Sequence, residues 1–558
     1  MARRRLLLGR HENQTIHDEN VTYSERFVQG QTAQTAIMSS GFTDLSAHAA
    51  EDRAISLASL DELKKLSAAQ LETNARLESL EAARAALRQR LEALGMRRGD
   101  RIATLAWNTG RHLECFYGVS GMGAVLHTVN PRLFREQIAW IIRHAEDRAL
   151  LFDPDQLPVV EAIAHEVPTV EHFVVLEERA RLPQSGKLRL VAYEDWIDAG
   201  HDGYRWPVLD ERLASSLCYT SGTTGHPKGV LYSHRSTLLH ALCCLQGDAL
   251  GLSANEPVLP IVPMFHANAW SIPYCAPICG AKLVLPGPRL DPASLFELMQ
   301  AESVGFTCGV PTVLGALLAY LQEKQLRLPA LKRIVVGGAA LPPAMQRAWG
   351  EQFGVTALHG WGMTEMSPIG TIGTPTPEVD ALPPAERAAQ LQKQGRAIFG
   401  VELQLRDAEG AVAPQDGVSF GPLWVRGHAI TRQYFREEGA AVDADGWFPT
   451  GDVATLDPLG YMKITDRTKD VIKSGGEWIS SIDIENAAMA HPQVAQAASV
   501  AAFHPKWGER PVLLIVPAAG ATLGAQEIRE FLAPRMASWK RASLVVSAAA
   551  ARRRSVTS

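Results

Sequence analysis

Short apolar runs separated by helix-compatible stretches constrain the fold of this chain more than any other feature. They are Arg101–Leu105 and residues 149–153, 282–285 and 333–336. Each suits a buried strand, and the interval between the first two leaves room for helices, as in repeated β–α units. The predicted α/β region reaches to about Asp466. Ahead of it, Leu77, Leu80, Leu87, Leu91 and Leu94 fall on one helical face, with Gly95 placed to end the helix. That face packs on its own domain or, as an open alternative, on a coiled-coil partner. After about Asp466 comes a smaller, charged segment with strand candidates at 497–500 and 512–516. Residues through about Asp52 are polar and irregular. A chain of 558 residues exceeds one ordinary core, so at least two domains are expected.

A second feature bears on chemistry. Tyr219-Thr220-Ser221-Gly222-Thr223-Thr224-Gly225-His226-Pro227-Lys228-Gly229 concentrates glycines and hydroxyl side chains around one lysine. Glycine lets main-chain N–H groups approach an anion, hydroxyls add short donors and the lysine adds charge, which suits a nucleotide polyphosphate. Pro227 stands where a Walker A loop needs glycine. Alone, such a run also fits a surface turn.

Composition narrows the class. With 46% hydrophobic and 21% charged residues and a net charge of -5, the chain is an ordinary globular protein without the charge signature of a nucleic-acid binder. Its seven cysteines are scattered without zinc spacing and read as reduced thiols of a cytoplasmic protein. No run of 18 apolar residues suggests a membrane span.

Further motifs follow the loop in order. Pro263-Met264-Phe265-His266-Ala267-Asn268-Ala269-Trp270 would put His266 and Trp270 on one face if helical. Gly337-Gly338-Ala339-Ala340 follows a strand candidate and leaves room for a flat ring or an acyl chain. In His359-Gly360-Trp361-Gly362-Met363-Thr364-Glu365, glycines flank a tryptophan able to stack on a base, and Glu365 is a hard oxygen ligand suited to Mg²⁺. Thr450-Gly451-Asp452 offers a carboxylate for ribose hydroxyls. Asp466-Arg467-Thr468-Lys469-Asp470-Val471-Ile472-Lys473-Ser474-Gly475-Gly476 suits either a solvated loop or a hinge between domains. Val310, Pro311 and Thr312 are candidates for lining a pocket and equally for an ordinary strand end.

Together these motifs resemble the adenylate-forming superfamily of acyl-CoA synthetases, luciferase and peptide-synthetase adenylation domains, from about Gly95 to about Trp539. Within it, the medium- and long-chain fatty acyl-CoA synthetases and methylmercaptopropionyl-CoA ligases are most similar. The resemblance implies a large multi-subdomain N-terminal domain (1–468, with 1–52 atypical) and a small mobile α+β C-terminal domain (469–558). It implies ATP, Mg²⁺ and coenzyme A, a fatty acid or other small carboxylic acid as substrate, and a homodimer. Carried over residue by residue, Thr220, Ser221, Gly222, Thr223, Thr224, Gly225 and Lys228 would hold the leaving phosphates. Thr364 would touch the α-phosphate and Glu365 would ligate Mg²⁺. Trp361 would stack on adenine with Gly338, Ala339 and Ala340 at its edge, while Asp452 and Arg467 contact the nucleotide. His266, Trp270 and Gly337 would border the acyl pocket. Lys469 would be the hinge, and Lys473, Gly475 and Gly476 would line the coenzyme A entry.

One departure stands out. The family ends its small domain with a lysine in a Gly-Lys motif, and after Trp539 no such motif occurs; Lys540 follows tryptophan, and an Ala/Arg/Ser-rich tail runs to Ser558. The expectation is a replaced or truncated end, slow adenylation and a less stable small domain. Two other classes stay open at this point: a non-catalytic binder of ATP or acyl-adenylate, and an adenylating enzyme loading a carrier-protein thiol.

Overall fold

The computed structural model describes residues 87–197, 206–220, 226–407, 409–467, 472–474, 477–518, 521, 523–536 and 544–547. Seven strands form the first sheet: β1 (Arg101–Leu105), β2 (Val125–Thr128), β3 (Ala149–Phe152), β4 (His172–Val175), β5 (Leu190–Ala192), β6 (Ala214–Tyr219) and β7 (Gly229–Ser233). Their order is β5-β4-β3-β1-β2-β6-β7, parallel throughout except for β7, which runs antiparallel to β6. Successive strand side chains point to opposite faces. Accordingly Ile102, Leu126 and Leu151 enter one apolar cluster, whereas Ala103, Val125, Leu150 and Phe152 enter another. A sheet covered on both faces explains why β2 and β3 are buried along their whole length, and why β3 reads as an unbroken apolar run.

The second sheet has the order β13-β12-β11-β10-β9-β8. Its strands are β8 (Val258–Pro260), β9 (Phe306–Gly309), β10 (Arg333–Val336), β11 (Thr356–Gly362), β12 (Ile369–Ile372) and β13 (Arg396–Ala397). The first four pair in parallel, and β12 and β13 turn antiparallel. A third, antiparallel sheet follows: β14 (Val401–Leu405), β15 (Phe420–Gly427), β16 (Phe448–Leu456) and β17 (Met462–Arg467). The last contains β18 (Ile472–Ser474), β19 (Glu477–Ile479), β20 (Val494–His504), β21 (Gly508–Pro517) and β22 (Leu544–Ser547). It shares a separate core with the helices Ser481–Met489 and Ala525–Leu532, where Ile472, Ile484, Leu513, Ile528 and Leu532 meet.

Three expectations are modified. Residues 282–285 make one parallel bridge, Leu283 with Val258, and no strand. The predicted N-terminal helix is described only over 87–93; Leu87 and Leu91 are buried there, and Gly95, at φ 77°, supplies the left-handed turn that ends it. The tail beyond Trp539 is not compositional filler throughout, because Leu544–Ser547 pairs in parallel with Val512–Ile515.

Two buried histidines make the fold acid-sensitive. His112 holds the main-chain oxygen of Trp107 at 2.8 Å and the hydroxyl of Thr104 at 3.0 Å; burial lowers its pKa to about 4. His240 accepts from the N–H of Ile369 at 3.2 Å, and burial lowers its pKa to about 3. Both are neutral when folded and take up protons near pH 6.5 when unfolded, so their contribution is complete above pH 6.5 and lost as pH falls toward 4. Each removes about 3 kcal/mol over that window. Urea melts at pH 7 and pH 4.5 should show this loss, reduced in His240→Gln; equal stability at both pH values would contradict it.

Candidate active site

The ladder between β6 and β7 brings the two ends of the Gly/Thr loop together. Tyr219 faces Gly229, the N–H of Thr220 donates to the oxygen of Lys228 at 2.9 Å, and the N–H of Lys228 donates to the Thr220 hydroxyl at 3.1 Å. Ser221, Gly222, Thr223, Thr224 and Gly225 lie outside the described residues. The Lys228 ammonium stands 3.0 Å from Glu437 and 4.5 Å from the centre of the Tyr434 ring.

A cavity of about 250 Å³ is lined by His266, Trp270, Gly337, Gly338, Trp361 and Thr364 among others. The sequence thus brings three separate motifs to one wall. The segment holding His266 and Trp270 is not the right-handed helix the spacing suggested. Residues 267–271 all have φ between 43° and 64°, a left-handed turn that costs each non-glycine residue free energy. Its polar groups hold it there: Asn268 donates to the Ser216 hydroxyl at 3.0 Å and Ser271 to the oxygen of Ser367 at 3.0 Å. Gly337 is required by close approach, since a Cβ there would stand 2.8 Å from the Trp270 indole and 3.0 Å from the oxygen of Gly360. Burial pushes the pKa of His266 down, leaving a neutral imidazole at the cavity wall. Val310 lines the cavity, whereas Pro311 begins the helix Pro311–Glu323. Ala339 and Ala340 are exposed just beyond Gly338.

The ionisable groups converge from three elements. Glu365 sits in the short helical turn Thr364–Met366 and is 7% exposed; its Oε1 accepts from the Tyr434 hydroxyl at 2.8 Å. Burial raises its pKa, opposed by the Tyr434 hydrogen bond and the charges of Arg467 and Lys228. Asp452, 3% exposed on β16, accepts from the Trp361 indole N–H at 3.0 Å and pairs with Arg467 on β17 at 2.9 Å. Burial raises its pKa too, against the pull of Arg467. Asp452 and Arg467 are cross-strand partners, so the sheet register itself sets this contact.

Gly362 lies at a register break between β11 and β12, and a Cβ there would fall 2.0 Å from the main-chain oxygen of Pro368. Gly362→Ala should displace residues 363–366 and cost about 1–3 kcal/mol of stability. A thermal melt unchanged from wild type would contradict this.

Lys469, expected to be the hinge, and Gly475 and Gly476 lie outside the described residues; Lys473 is in β18, where it pairs with Trp478. At the end of β17, Asp466 is 1% exposed and accepts from the N–H and hydroxyl of Ser481 at 2.6 and 3.1 Å. Sequence reasoning missed this anchor. It also missed Thr431, Tyr434 and Glu437, whose partners are distant in sequence: Glu437 meets a lysine 209 residues away. No local spacing signals such contacts.

A doubly covered parallel sheet, a small separate C-terminal core and charged groups gathered near an apolar cavity fit the architecture that the sequence motifs led one to expect. The chain belongs to the AMP-binding enzyme family: that family's model matches residues 74–435, and the model of the AMP-binding enzyme C-terminal domain matches 483–553. The family likeness therefore starts before Gly95 and runs past Trp539, into the tail that sequence reading set aside. Among characterised relatives, the 3-methylmercaptopropionyl-CoA ligase of Ruegeria lacuscaerulensis is 50% identical over 450 residues, covering 81% of this chain and 84% of that one. The medium-chain-fatty-acid–CoA ligase of Ectopseudomonas oleovorans is 49% identical, covering 81% and 82%. The structure is similar to that of an anthranilate CoA ligase in complex with anthranoyl-AMP, with a TM-score of 0.74 at 25% identity, covering 84% of this chain and 87% of that one.

Proposed function

We propose that this protein is an ATP-dependent, AMP-forming acyl-CoA ligase acting on a fatty acid or similar apolar carboxylic acid. The observation that carries the reading is the junction of an apolar cavity with a nucleotide-type site. Trp361 and Thr364 line the cavity that His266, Trp270 and Gly337 wall. The first also donates to Asp452, and the second directly precedes Glu365. In the first step a carboxylate attacks the α-phosphate of ATP; a P–O bond forms to the acid, pyrophosphate leaves, and an acyl-adenylate remains. In the second, coenzyme A thiolate attacks the acyl carbon and AMP leaves. The cavity wall orients the acyl chain and keeps water from the adenylate.

In this reading Asp452 accepts both ribose hydroxyls, Trp361 stacks on the adenine, and Lys228 with Thr220 meets the leaving phosphates. Among the described residues no cluster of three or more His, Cys, Asp or Glu could hold a metal by itself. One buried carboxylate, Glu365, is what Mg²⁺ needs from the protein when phosphates and waters supply the other oxygens. When bound there, Mg²⁺ would neutralise charge on the phosphates. Glu365 would supply it a carboxylate oxygen, and the Tyr434 hydroxyl orients that carboxylate. We place the boundary between the large and small domains at residues 468 and 469, with Lys469 as the hinge and Lys473, Gly475 and Gly476 facing coenzyme A. No described helix is long and apolar enough to cross a membrane. A cytoplasmic location follows from the need for ATP and coenzyme A.

The sequence after Trp539 carries Lys540 and no Gly-Lys motif. Gly337→Ala provides a test of the acyl pocket. Its methyl group would press on Trp270, so kcat/KM for the longest accepted acid should fall at least about tenfold relative to the shortest. Equal loss for all chain lengths would place the acyl chain elsewhere.

A further inference from the structure

Residues 427–437 leave β15 and cross the root of the phosphate-facing loop. Thr431 donates its N–H to the main-chain oxygen of Glu365 at 2.8 Å. Tyr434 donates its hydroxyl to Glu365 Oε1 at 2.8 Å. The N–H of Phe435 donates to the oxygen of Gly229 at 2.8 Å, next to Lys228. Arg436 adopts a left-handed φ of 59° and reaches back to the oxygen of His144 at 2.9 Å and to Glu146. Glu437 then pairs with Lys228 at 3.0 Å, while the lysine also rides over the Tyr434 ring. Within the segment, Thr431 donates to the oxygen of Gln433 at 2.9 Å, and Gln433 to that of Glu437 at 2.7 Å, so it is braced internally.

Resting on the ligase reading above, we infer that this segment is a strap that positions the site's two phosphate-facing charges against each other, with Tyr434 as the orienting residue and Glu437 as a placeholder for phosphate. Tyr434 touches both charges at once: its hydroxyl fixes one oxygen of Glu365, and its ring face supports the Lys228 ammonium. Both are thereby prealigned before a nucleotide arrives. Glu437 neutralises Lys228 until a polyphosphate displaces it, and the pair is solvent-accessible enough for that exchange to be cheap, at side-chain exposures of 48% and 41%. AMP has no β- or γ-phosphate, so it gains nothing from either arrangement. Tyr434 and Glu437 are positioning residues, and their effect belongs to binding of the polyphosphate.

The test measures dissociation constants of wild type, Tyr434→Phe and Glu437→Gln for ATP with Mg²⁺ and for AMP, by calorimetry on the full chain. Tyr434→Phe keeps the ring and removes the hydroxyl; it should weaken Mg·ATP about tenfold. Glu437→Gln should tighten Mg·ATP by roughly two- to fivefold at low salt, the range expected for releasing an exposed ion pair. Both variants should bind AMP within about twofold of wild type, which also certifies their fold. Equal effects on ATP and AMP, or ATP affinity unchanged or weakened in Glu437→Gln, would overturn the strap. A wild type that binds neither nucleotide would sink the ligase reading itself, and the strap with it.

Discussion

Replacing Glu365 with glutamine should lower the rate of adenylate formation by about 10²–10³ while leaving the protein as stable as wild type or more so. The two effects have one cause. Glu365 is buried, and burial raises its pKa, which means that the folded protein works against its ionised form. Glutamine keeps the shape and an oxygen able to accept from Tyr434, but relieves the cost of the buried charge. A residue whose neutralisation harms activity and helps stability is maintained for chemistry. Pyrophosphate release measures the first effect and thermal unfolding the second. Loss of stability together with activity would make Glu365 a structural residue instead.

Asp452→Ala should weaken AMP binding at least about 100-fold, from the loss of charge-assisted hydrogen bonds to two ribose hydroxyls. It should also destabilise the fold by about 1–3 kcal/mol, because the Trp361 indole N–H loses the acceptor it now has at 3.0 Å. Arg467, whose side chain is 56% exposed, can turn into water when Asp452 is gone, so it adds little to that cost. Asp452→Asn keeps an acceptor for the indole and should separate the two effects: nearly normal stability with weakened AMP. If both variants bind AMP like wild type, the nucleotide lies elsewhere.

Much of this was legible in the sequence because it rests on local pattern. The short, largely apolar runs at 101–105 and 149–152 became central strands, as a sheet covered on both faces favours. The motifs around His266, Gly337 and Trp361 were recognisable from residue order, and they meet at one cavity because each follows a strand of the second sheet or lies on it. What escaped had no local signal. The left-handed turn at 267–271 depends on hydrogen bonds to Ser216 and Ser367, far away in sequence. The strap holding Glu365 and Lys228 likewise depends on contacts that only the folded chain makes. Residues 282–285 carry the right composition for a strand, yet only Leu283 finds a partner. Conversely, Leu544-Val545-Val546 is a strand concealed by the alanine- and arginine-rich residues around it.

Coenzyme A thioester formation, followed by mass spectrometry in two parallel reactions, tests the central claim most directly. One receives a panel of fatty acids with Mg·ATP and coenzyme A; the other receives preformed acyl-adenylates with coenzyme A. Thioester in both reactions is the predicted result for a ligase that first forms an acyl-adenylate and then transfers the acyl group to coenzyme A. No thioester from any acyl-adenylate would contradict the assignment of this protein as an acyl-CoA ligase.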